Sequence, residues 1–461
     1  MRLFKRALIL AVFLHCLADL SLALTVNMFA GVPLGGYGDI AWNVEMSQQL
    51  KRLRPDLTIN FKVTQLQLEK LRVLVPNFDP TLKVQQINGI NYYYGTRLPP
   101  ADFFLGFALK DEPTDWGYAR GVYLPDKFME KTNIHDLMRL EANAPVIFYF
   151  EEYKGHPYTV SPGFQNSGKS FVIPWHTGAR AGGYQISPKV PNDFMSRPNL
   201  ETELAKLLSR KESFLEGKKL AFAYSTFNKS AEEYLTMMYE YAKLHPNENF
   251  VIIKNHADYL PTNLPKNLEL IIYDKLSLEI SRALIAHSEA PILVTGDASL
   301  SYAIEFQKLF LYEQHYWKTA SMREFVKRAS ELDPFFLKPE NLKALNTMVN
   351  LTGQGTKRAK PKDMLELARF FSESEFLDHF KETLFQFKEN HSLPLNILKA
   401  FDAVNSRNNK NSADGKEIMA KLEDAGFPIW PTLRQRASRT CQWLFNKAFF
   451  SKIRFGNINS Q

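Results

Sequence analysis

The chain has 461 residues, with 57 lysines and arginines against 49 aspartates and glutamates, a formal net charge of +8. Hydrophobic residues make up 45% and charged residues 23%, which excludes a disordered, collagen-like or disulfide-rich chain. At about 150 residues per domain, the length predicts two or three domains. With only Cys16 and Cys441, the chain has neither a disulfide framework nor a cysteine metal site.

Residues 1–24 are predicted to be a signal peptide or a membrane anchor. A basic start precedes an almost wholly apolar run over residues 7–24, and Ser21 and Ala23 are spaced like the small residues before a signal-peptidase cut. Because Asp19 would be costly within a bilayer, a cleaved signal is favoured over an anchor. A buried first element of the fold is the alternative.

The next elements in chain order are typical of a doubly wound α/β sheet. Residues 25–32 form a short apolar run, which predicts a buried strand. A glycine-rich loop follows over 33–38, and a helix is predicted from Asp39 to the residue before Pro55. Another strand is predicted over residues 58–63. Strand, loop, helix and strand make the first βαβ unit.

The same alternation occurs again in the second part of the chain. Further strands are predicted over 90–94, 103–109, 146–150, 171–174, 220–224, 250–254, 268–273, 291–295 and 309–312. Helices are predicted over 231–244 and 278–285, with another starting at Leu300. We therefore predict two Rossmann-like α/β domains, over residues 25–195 and 196–345, followed by a helical extension over 346–461.

The first glycine-rich turn contains Gly36, Gly38 and Asp39. Glycines allow the backbone to approach an anionic group, and a helix start offers free N–H groups. The turn lacks the dinucleotide fingerprint and the Walker pattern. Asp39 is interpreted either as a helix cap or as a general base that projects into the cleft.

The second turn contains Gly296, Asp297 and Ser299, between a predicted strand and a predicted helix. Ser299 and the amides after it are predicted to hold a diphosphate. Glu305 lies about two helical turns beyond Asp297, where a carboxylate would reach ribose hydroxyls. Capping is the alternative for Asp297 and Ser299, and a solvated helix face is the alternative for Glu305. Facing each other across a cleft, the two turns would bind a ligand where open α/β sheets do.

Several blocks, in order over about residues 25–320, resemble one family. They are Gly36–Leu50, Ala144–Tyr153, Phe171–Gly183, Leu220–Tyr224, Gly296–Ser299 and, after Ala303, Leu309–Gln314. The first resembles the Gly-Asp opening of GT-B glycosyltransferases such as the heptosyltransferases. It is more similar to the bacterial protein-arginine rhamnosyltransferases that modify elongation factor P. The later blocks resemble the same enzymes.

The resemblance implies a GT-B fold and inverting, metal-independent transfer from a nucleotide diphosphate-sugar, such as dTDP-rhamnose, to a protein acceptor. By the resemblance, residues 25–195 are the acceptor domain and residues 196–345 the nucleotide-sugar domain. Asp39 is then the catalytic base and Asp297 an active-site carboxylate. Ser299 corresponds to a diphosphate-binding serine, and Phe222 and Tyr224 to aromatic residues near the donor nucleotide. No cofactor, metal site or nucleic-acid partner is expected.

The chain also departs from that family. Gly35 and Gly36 replace an acidic residue and an asparagine before the base, and Ala298 replaces an aspartate. These changes keep two alternatives open, a lipid- or polysaccharide-directed heptosyltransferase-like enzyme and a secreted binding protein with the GT-B fold but without catalysis. An NAD-dependent enzyme is disfavoured because its fingerprint is missing. The segment over residues 7–24 predicts export or membrane association, whereas a nucleotide sugar implies access to a cytosolic compartment.

Overall fold

A computed structural model describes residues 24–30, 38–107, 143–153, 158–161, 164–165, 170–179, 181–187, 194–255, 263–273, 276–353, 355–356, 359–404 and 415–429. The residues predicted to be a signal or anchor (except Leu24), the loop over 31–37, and both cysteines lie outside these ranges. Within them, every helix is too short or too polar to cross a membrane.

The first half of the chain is built on an eight-stranded sheet. Its strands are β1 (Thr25–Ala30), β2 (Thr58–Val63), β3 (Val84–Ile87), β4 (Ile90–Tyr94), β5 (Phe103–Phe107), β6 (Val146–Tyr153), β7 (Phe164–Gln165) and β8 (Phe171–Thr177). They lie in the order β3-β4-β2-β1-β5-β6-β8-β7, and only β3 and β7, at the edges, pair antiparallel. Central parallel strands are covered on both faces, which explains their apolar sequences.

The second half is built on a six-stranded, all-parallel sheet. Its strands are β9 (Lys218–Ala223), β10 (Asn249–Asn255), β11 (Leu268–Tyr273), β12 (Ile292–Thr295), β13 (Phe310–Gln314) and β14 (Leu351–Thr352). Their order is β11-β10-β9-β12-β13-β14. The chain leaves β9 in one direction for β10 and β11 and returns to β12 on the other side. The carboxyl ends of β9 and β12 are therefore the topological switch point, where open α/β sheets bind ligands.

Twelve α-helices lie in the described ranges. They are α1 (Gly38–Leu53), α2 (Leu68–Leu74), α3 (Arg197–Leu207), α4 (Asn228–Leu244), α5 (Leu278–His287), α6 (Gly296–Glu305), α7 (Thr319–Leu332), α8 (Pro339–Met348), α9 (Pro361–Phe370), α10 (Ser374–Asn390), α11 (Leu393–Val404) and α12 (Gly415–Asp424). The predicted fold class, two Rossmann-like α/β halves, is confirmed: each half has a mainly parallel sheet and helices that connect its strands.

Most predicted strands agree closely with the structure, and those over 58–63, 90–94 and 268–273 have the same bounds. The helix predicted to start at Leu300 begins four residues earlier, at Gly296. The reason is local: Thr295 is still extended, and Gly296 adopts a φ of 77°, which turns the strand directly into the helix.

The helices beyond residue 345 contribute to both cores. Phe401 of α11 stacks on Phe103 of β5, with ring centroids 4.4 Å apart, and so joins the core of the first half. Phe387 of α10 stacks on Phe325 of α7, at 5.0 Å, in the core of the second half. The predicted extension over 346–461 therefore completes both halves where it is described, and its boundary at residue 345 stays a prediction.

Candidate functional site

The first predicted turn is only partly described. Gly36 lies outside the described residues, while Gly38 and Asp39 are the first two residues of α1, which follows β1. Strand β1 lies between β2 and β5, so α1 begins at the switch point of the first sheet. Asp39 therefore stands on the backbone position that the prediction requires, and its role as a base stays a prediction.

The second turn begins α6 at the switch point of the second sheet. The residue before the helix, Thr295, makes no capping hydrogen bond with its side chain. A Cβ atom on Gly296 would meet nothing within 4 Å, so the glycine is needed for its φ of 77° rather than for space. The turn is thus a strand-to-helix connection. The first backbone N–H groups of α6 form the positive end of the helix dipole, which favours an anion.

Asp297 forms an ion pair with Lys318, the residue before α7. The Lys318 Nζ atom lies 2.7 Å from both carboxylate oxygens of Asp297. The side chains are 6% exposed for Lys318 and 17% for Asp297. Such a charge-assisted contact fixes the carboxylate and places a cation beside the start of α6. The pair can therefore orient a substrate group and compensate negative charge near it.

Ser299 is occupied within its own helix. Its hydroxyl donates to the backbone carbonyl of Thr295, and the Gly296 carbonyl lies 3.5 Å from the same oxygen. A serine in a first turn often bonds the backbone in this way. Donation to a diphosphate would require the hydroxyl to leave the Thr295 carbonyl, so the predicted contact is not preformed.

A second anion position exists at the same edge of the sheet, and Glu313 of β13 fills it. The fully buried carboxylate accepts hydrogen bonds from the backbone N–H groups of Thr226, at 3.0 and 3.1 Å, and Phe227, at 3.0 Å. It also accepts from the hydroxyls of Thr226 and Ser230. These donors surround the start of α4, so Glu313 satisfies that helix end.

His315 lies between the two helix starts. Its Nε2 atom is 3.6 Å from the carboxylate of Glu313 and 3.4 Å from the hydroxyl of Thr295. Burial lowers the pKa of His315, while the carboxylate of Glu313 raises it to a smaller extent and Lys318 lowers it further. The imidazole is therefore kept neutral near pH 7.

The two predicted aromatic residues have different surroundings. Tyr224 follows β9 at the switch point and is 40% exposed, and its backbone N–H donates to the Leu293 carbonyl at 2.9 Å. Phe222 is 2% exposed, and its ring stacks on Tyr273 with centroids 6.2 Å apart. Tyr224 is therefore accessible at the carboxyl edge of the sheet, and its predicted contact with a donor stays a prediction. The environment of Phe222 is that of a core residue.

Glu305 is not at the carboxyl edge. It is 1% exposed and contacts the guanidinium of Arg282 at 2.8 Å. Burial raises the pKa of the Glu305 carboxyl, and the charge of Arg282 opposes that change. This environment does not fit the predicted ribose contact. The reason is that the face of α6 that carries Glu305 packs against other helices and does not point toward the carboxyl edge of the sheet.

The residues that sequence reasoning missed are Lys318, Glu313 and Arg282. Each becomes significant through a partner distant in sequence: 21 residues for Lys318 and Asp297, 87 for Glu313 and Thr226, and 237 for Arg282 and Glu45. The available signal was a charged residue within or just after an apolar strand, as for Glu313 and Lys318. Charges in such positions are rarely buried unless they are paired.

No protein-family model and no curated protein matches the chain. Among solved structures, Arabidopsis thaliana UGT89C1 complexed with UDP-L-rhamnose matches 87% of this chain and 99% of its own, with 12% identity and a TM-score of 0.42.

Medicago truncatula UGT71G1 complexed with UDP-glucose matches 88% of this chain and 99% of its own, with 8% identity and a TM-score of 0.35. ADP-heptose lps heptosyltransferase II from E. coli matches 63% and 85%, with 10% identity and a TM-score of 0.31.

Proposed function

We propose that the chain is a glycosyltransferase that moves a sugar from a nucleotide diphosphate-sugar to an acceptor, with inversion at the anomeric carbon. The observation that carries the proposal is the turn after β12, at the switch point of the second sheet. It combines the start of α6 with the Asp297–Lys318 ion pair. A diphosphate is the ligand class that suits backbone N–H groups and a lysine side by side.

In the proposed reaction, the Asp39 carboxylate takes the proton of the acceptor nucleophile. The nucleophile then attacks the anomeric carbon from the face opposite the diphosphate. The new bond to the acceptor forms while the bond between the anomeric carbon and the diphosphate oxygen breaks. The departing diphosphate gains negative charge, which the N–H groups of α6 and the Lys318 ammonium stabilise. Asp297 orients Lys318 and the transferred sugar.

This scheme places the positive charge needed at the leaving group on the protein, so it uses no metal ion. The resemblance to the arginine rhamnosyltransferases supports a protein acceptor and a deoxysugar donor such as dTDP-rhamnose. Export or anchoring through residues 7–24 remains part of the proposal.

A thermal-shift screen with nucleotide diphosphate-sugars tests the proposal first, because a ligand that binds only the folded state raises the melting temperature. We expect one donor class to stabilise the protein and to release its nucleotide diphosphate when an acceptor is added. Asp39→Asn should keep the thermal shift and lose at least 1000-fold in turnover, in the range of losses seen when a catalytic base is removed. Full turnover by folded Asp39→Asn would exclude this role.

A second candidate function is a non-catalytic nucleotide-sugar binding protein. It is favoured by the internal hydrogen bond of Ser299 and by Ala298 in place of the family's aspartate. Donor binding without transfer or hydrolysis, with protein, lipid and polysaccharide acceptors each offered, would identify this function. Transfer to a lipid or polysaccharide alone would instead identify the heptosyltransferase-like alternative.

A further inference from the structure

A buried ion cluster connects the two halves. Arg282 of α5 contacts Glu45 of α1 at 3.0 Å through one terminal nitrogen and Glu305 of α6 at 2.8 Å through the other. Glu45 belongs to the first half, and Arg282 and Glu305 to the second. Side-chain exposure is 9%, 5% and 0% for Arg282, Glu45 and Glu305. A single guanidinium therefore joins carboxylates from both halves away from solvent.

Aromatic rings complete the surroundings of Arg282. Its guanidinium carbon lies 5.2 Å from the ring centroid of Tyr302 and 5.6 Å from those of Phe194 and Phe306. A planar guanidinium suits this environment, because it bonds in its plane and stacks over rings above and below. An ammonium would keep the charge but would lose the forked geometry.

The main effect of the cluster is to favour one orientation of the two halves relative to each other. Its net contribution to the stability of the fold is small. Burying three charges costs several kcal/mol per ion, and the attraction repays this cost only when the geometry is good. Here good geometry requires that α1 and α6 stand in one position relative to Arg282. A rotation of one half would separate a buried carboxylate from its partner, so the contact disfavours other angles between the halves.

Both helices joined by the cluster start at a predicted turn. Glu45 is six residues after Asp39, and Glu305 is eight residues after Asp297, which places the cluster about 9 Å and about 12 Å behind the two helix starts. At that lever length, a rotation of about 10° moves a helix start by about 2 Å. Transfer chemistry is sensitive to misplacements of about 1 Å.

We propose that Arg282 is a positioning residue, which holds the helix that carries Asp39 at a fixed distance from the donor turn at Gly296 and Asp297. The inference rests on the proposed function for its catalytic consequence. Its structural content, a fixed geometry between the halves, does not depend on that function. Arg282 touches neither reacting group.

Arg282→Lys and Glu45→Gln are the test variants, because each nearly keeps the size of the side chain and weakens the ion pair between Arg282 and Glu45. Arg52→Lys is the matched control: Arg52 contacts the same Glu45 carboxylate at 3.2 Å, but it belongs to α1 itself and its side chain is 34% exposed. We expect kcat to fall at least 10-fold in the two test variants. The donor Kd should stay within threefold, and Arg52→Lys should stay within twofold of wild type in both quantities. A loss of kcat no larger than in the control, or a parallel loss of donor binding, would overturn the proposal.

An inter-half distance separates this proposal from the proposed function. Spin labels are attached at Leu82→Cys and Leu244→Cys, both 48% exposed, in full-length protein with Cys16 and Cys441 changed to serine. The distribution of distances between the two spin labels should be narrow in labelled protein that keeps Arg282, and equally narrow in Arg52→Lys. In Arg282→Lys it should be at least twice as wide. If no donor supports turnover, the proposed function fails and this width still decides the positioning role. An unchanged width with Arg282→Lys rejects it.

Discussion

Two helices begin at the carboxyl edge of the second sheet, and their starts are treated differently. At α4, the buried Glu313 carboxylate accepts from two backbone N–H groups and two hydroxyls. At α6, the residue before the helix provides no side-chain cap, and Asp297 is bound to Lys318. Both are positive helix ends of the same sheet. One is filled by an anion of the protein, and the other has a cation placed beside it.

The difference shows how a fold with several anion-binding helix ends can direct a ligand to one of them. Glu313 competes with any external phosphate for the amides of Thr226 and Phe227. Lys318 adds positive charge at α6, and an anion arriving there would share that charge with Asp297. Changes at either helix end, or at the histidine between them, should therefore affect anion binding and stability differently.

Replacing Lys318 by methionine should have the largest effect, because it removes the cation and leaves the Asp297 carboxylate uncompensated at the donor turn. We expect kcat/KM for the donor to fall about 100- to 1000-fold, comparable to the loss of one oxyanion donor. Steady-state kinetics with the best donor from the screen measures it. Asp297→Asn is the matched variant: with the lysine kept, it should lower kcat without weakening donor binding. Equal losses of donor affinity in both variants would show that the pair acts only as a structural unit.

Replacing Glu313 by alanine should destabilise the protein by about 3 kcal/mol, because buried donors at the start of α4 lose their acceptor. Urea unfolding measures the change. Glu279→Ala is the control, since this exposed glutamate in the first turn of α5 should change stability by no more than about 0.5 kcal/mol. Pyrophosphate should then raise the melting temperature of Glu313→Ala more than that of wild type. A pyrophosphate response equal to that of wild type would argue against an anion position at α4.

Replacing Gly296 by alanine should cost about 1 kcal/mol, from the strained φ of 77° alone, because the added Cβ meets open space. Gly95→Ala is a matched control, with a φ of 66° and no neighbour within 4 Å, in a turn of the first half. Calorimetry should show similar losses for both variants. The affinity for the donor should fall only in Gly296→Ala. An equal fall in Gly95→Ala would show that donor binding does not depend on the backbone geometry at the start of α6.

The smallest effect is a pH dependence at His315, which lies between the two helix starts. The folded state lowers the pKa of His315 from its ordinary value of 6.5. As the pH falls below 6.5, His315 is therefore protonated more readily in the unfolded chain than in the folded protein. Stability supplied by the neutral imidazole is therefore present above pH 6.5 and is lost as the pH falls below it. Urea unfolding should show a weaker decline below pH 6.5 for His315→Gln than for wild type. An identical decline of the free energy of unfolding in both proteins would show that another group titrates below pH 6.5.

The sequence predicted the framework of this site better than its contacts. Strand periodicity and Gly296 correctly predicted the strand-to-helix turn after β12, because both signals depend on neighbouring residues. Glu305 was assigned to the ligand because its spacing from Asp297 places it only along the helix, not around it. Its true partner, Arg282, lies on another helix, and the Lys318 contact depends on how β13 and α7 return to β12. Such pairings are set by tertiary packing, which a single sequence does not reveal.

The return of α11 and α12 to the first core makes that half discontinuous in sequence. Phe401 stacks on Phe103, and Phe427 contacts Trp175 edge-to-face at 5.1 Å, so these pairs join residues about 300 and 250 positions apart. A polypeptide that stops after the second sheet would leave apolar surface of the first half uncovered. A separately produced first half therefore has to include residues 393–429 along with residues 24–177, whereas the second half can be taken as one continuous stretch. During synthesis, the first half can reach its final packing only after Phe427 has been added to the chain.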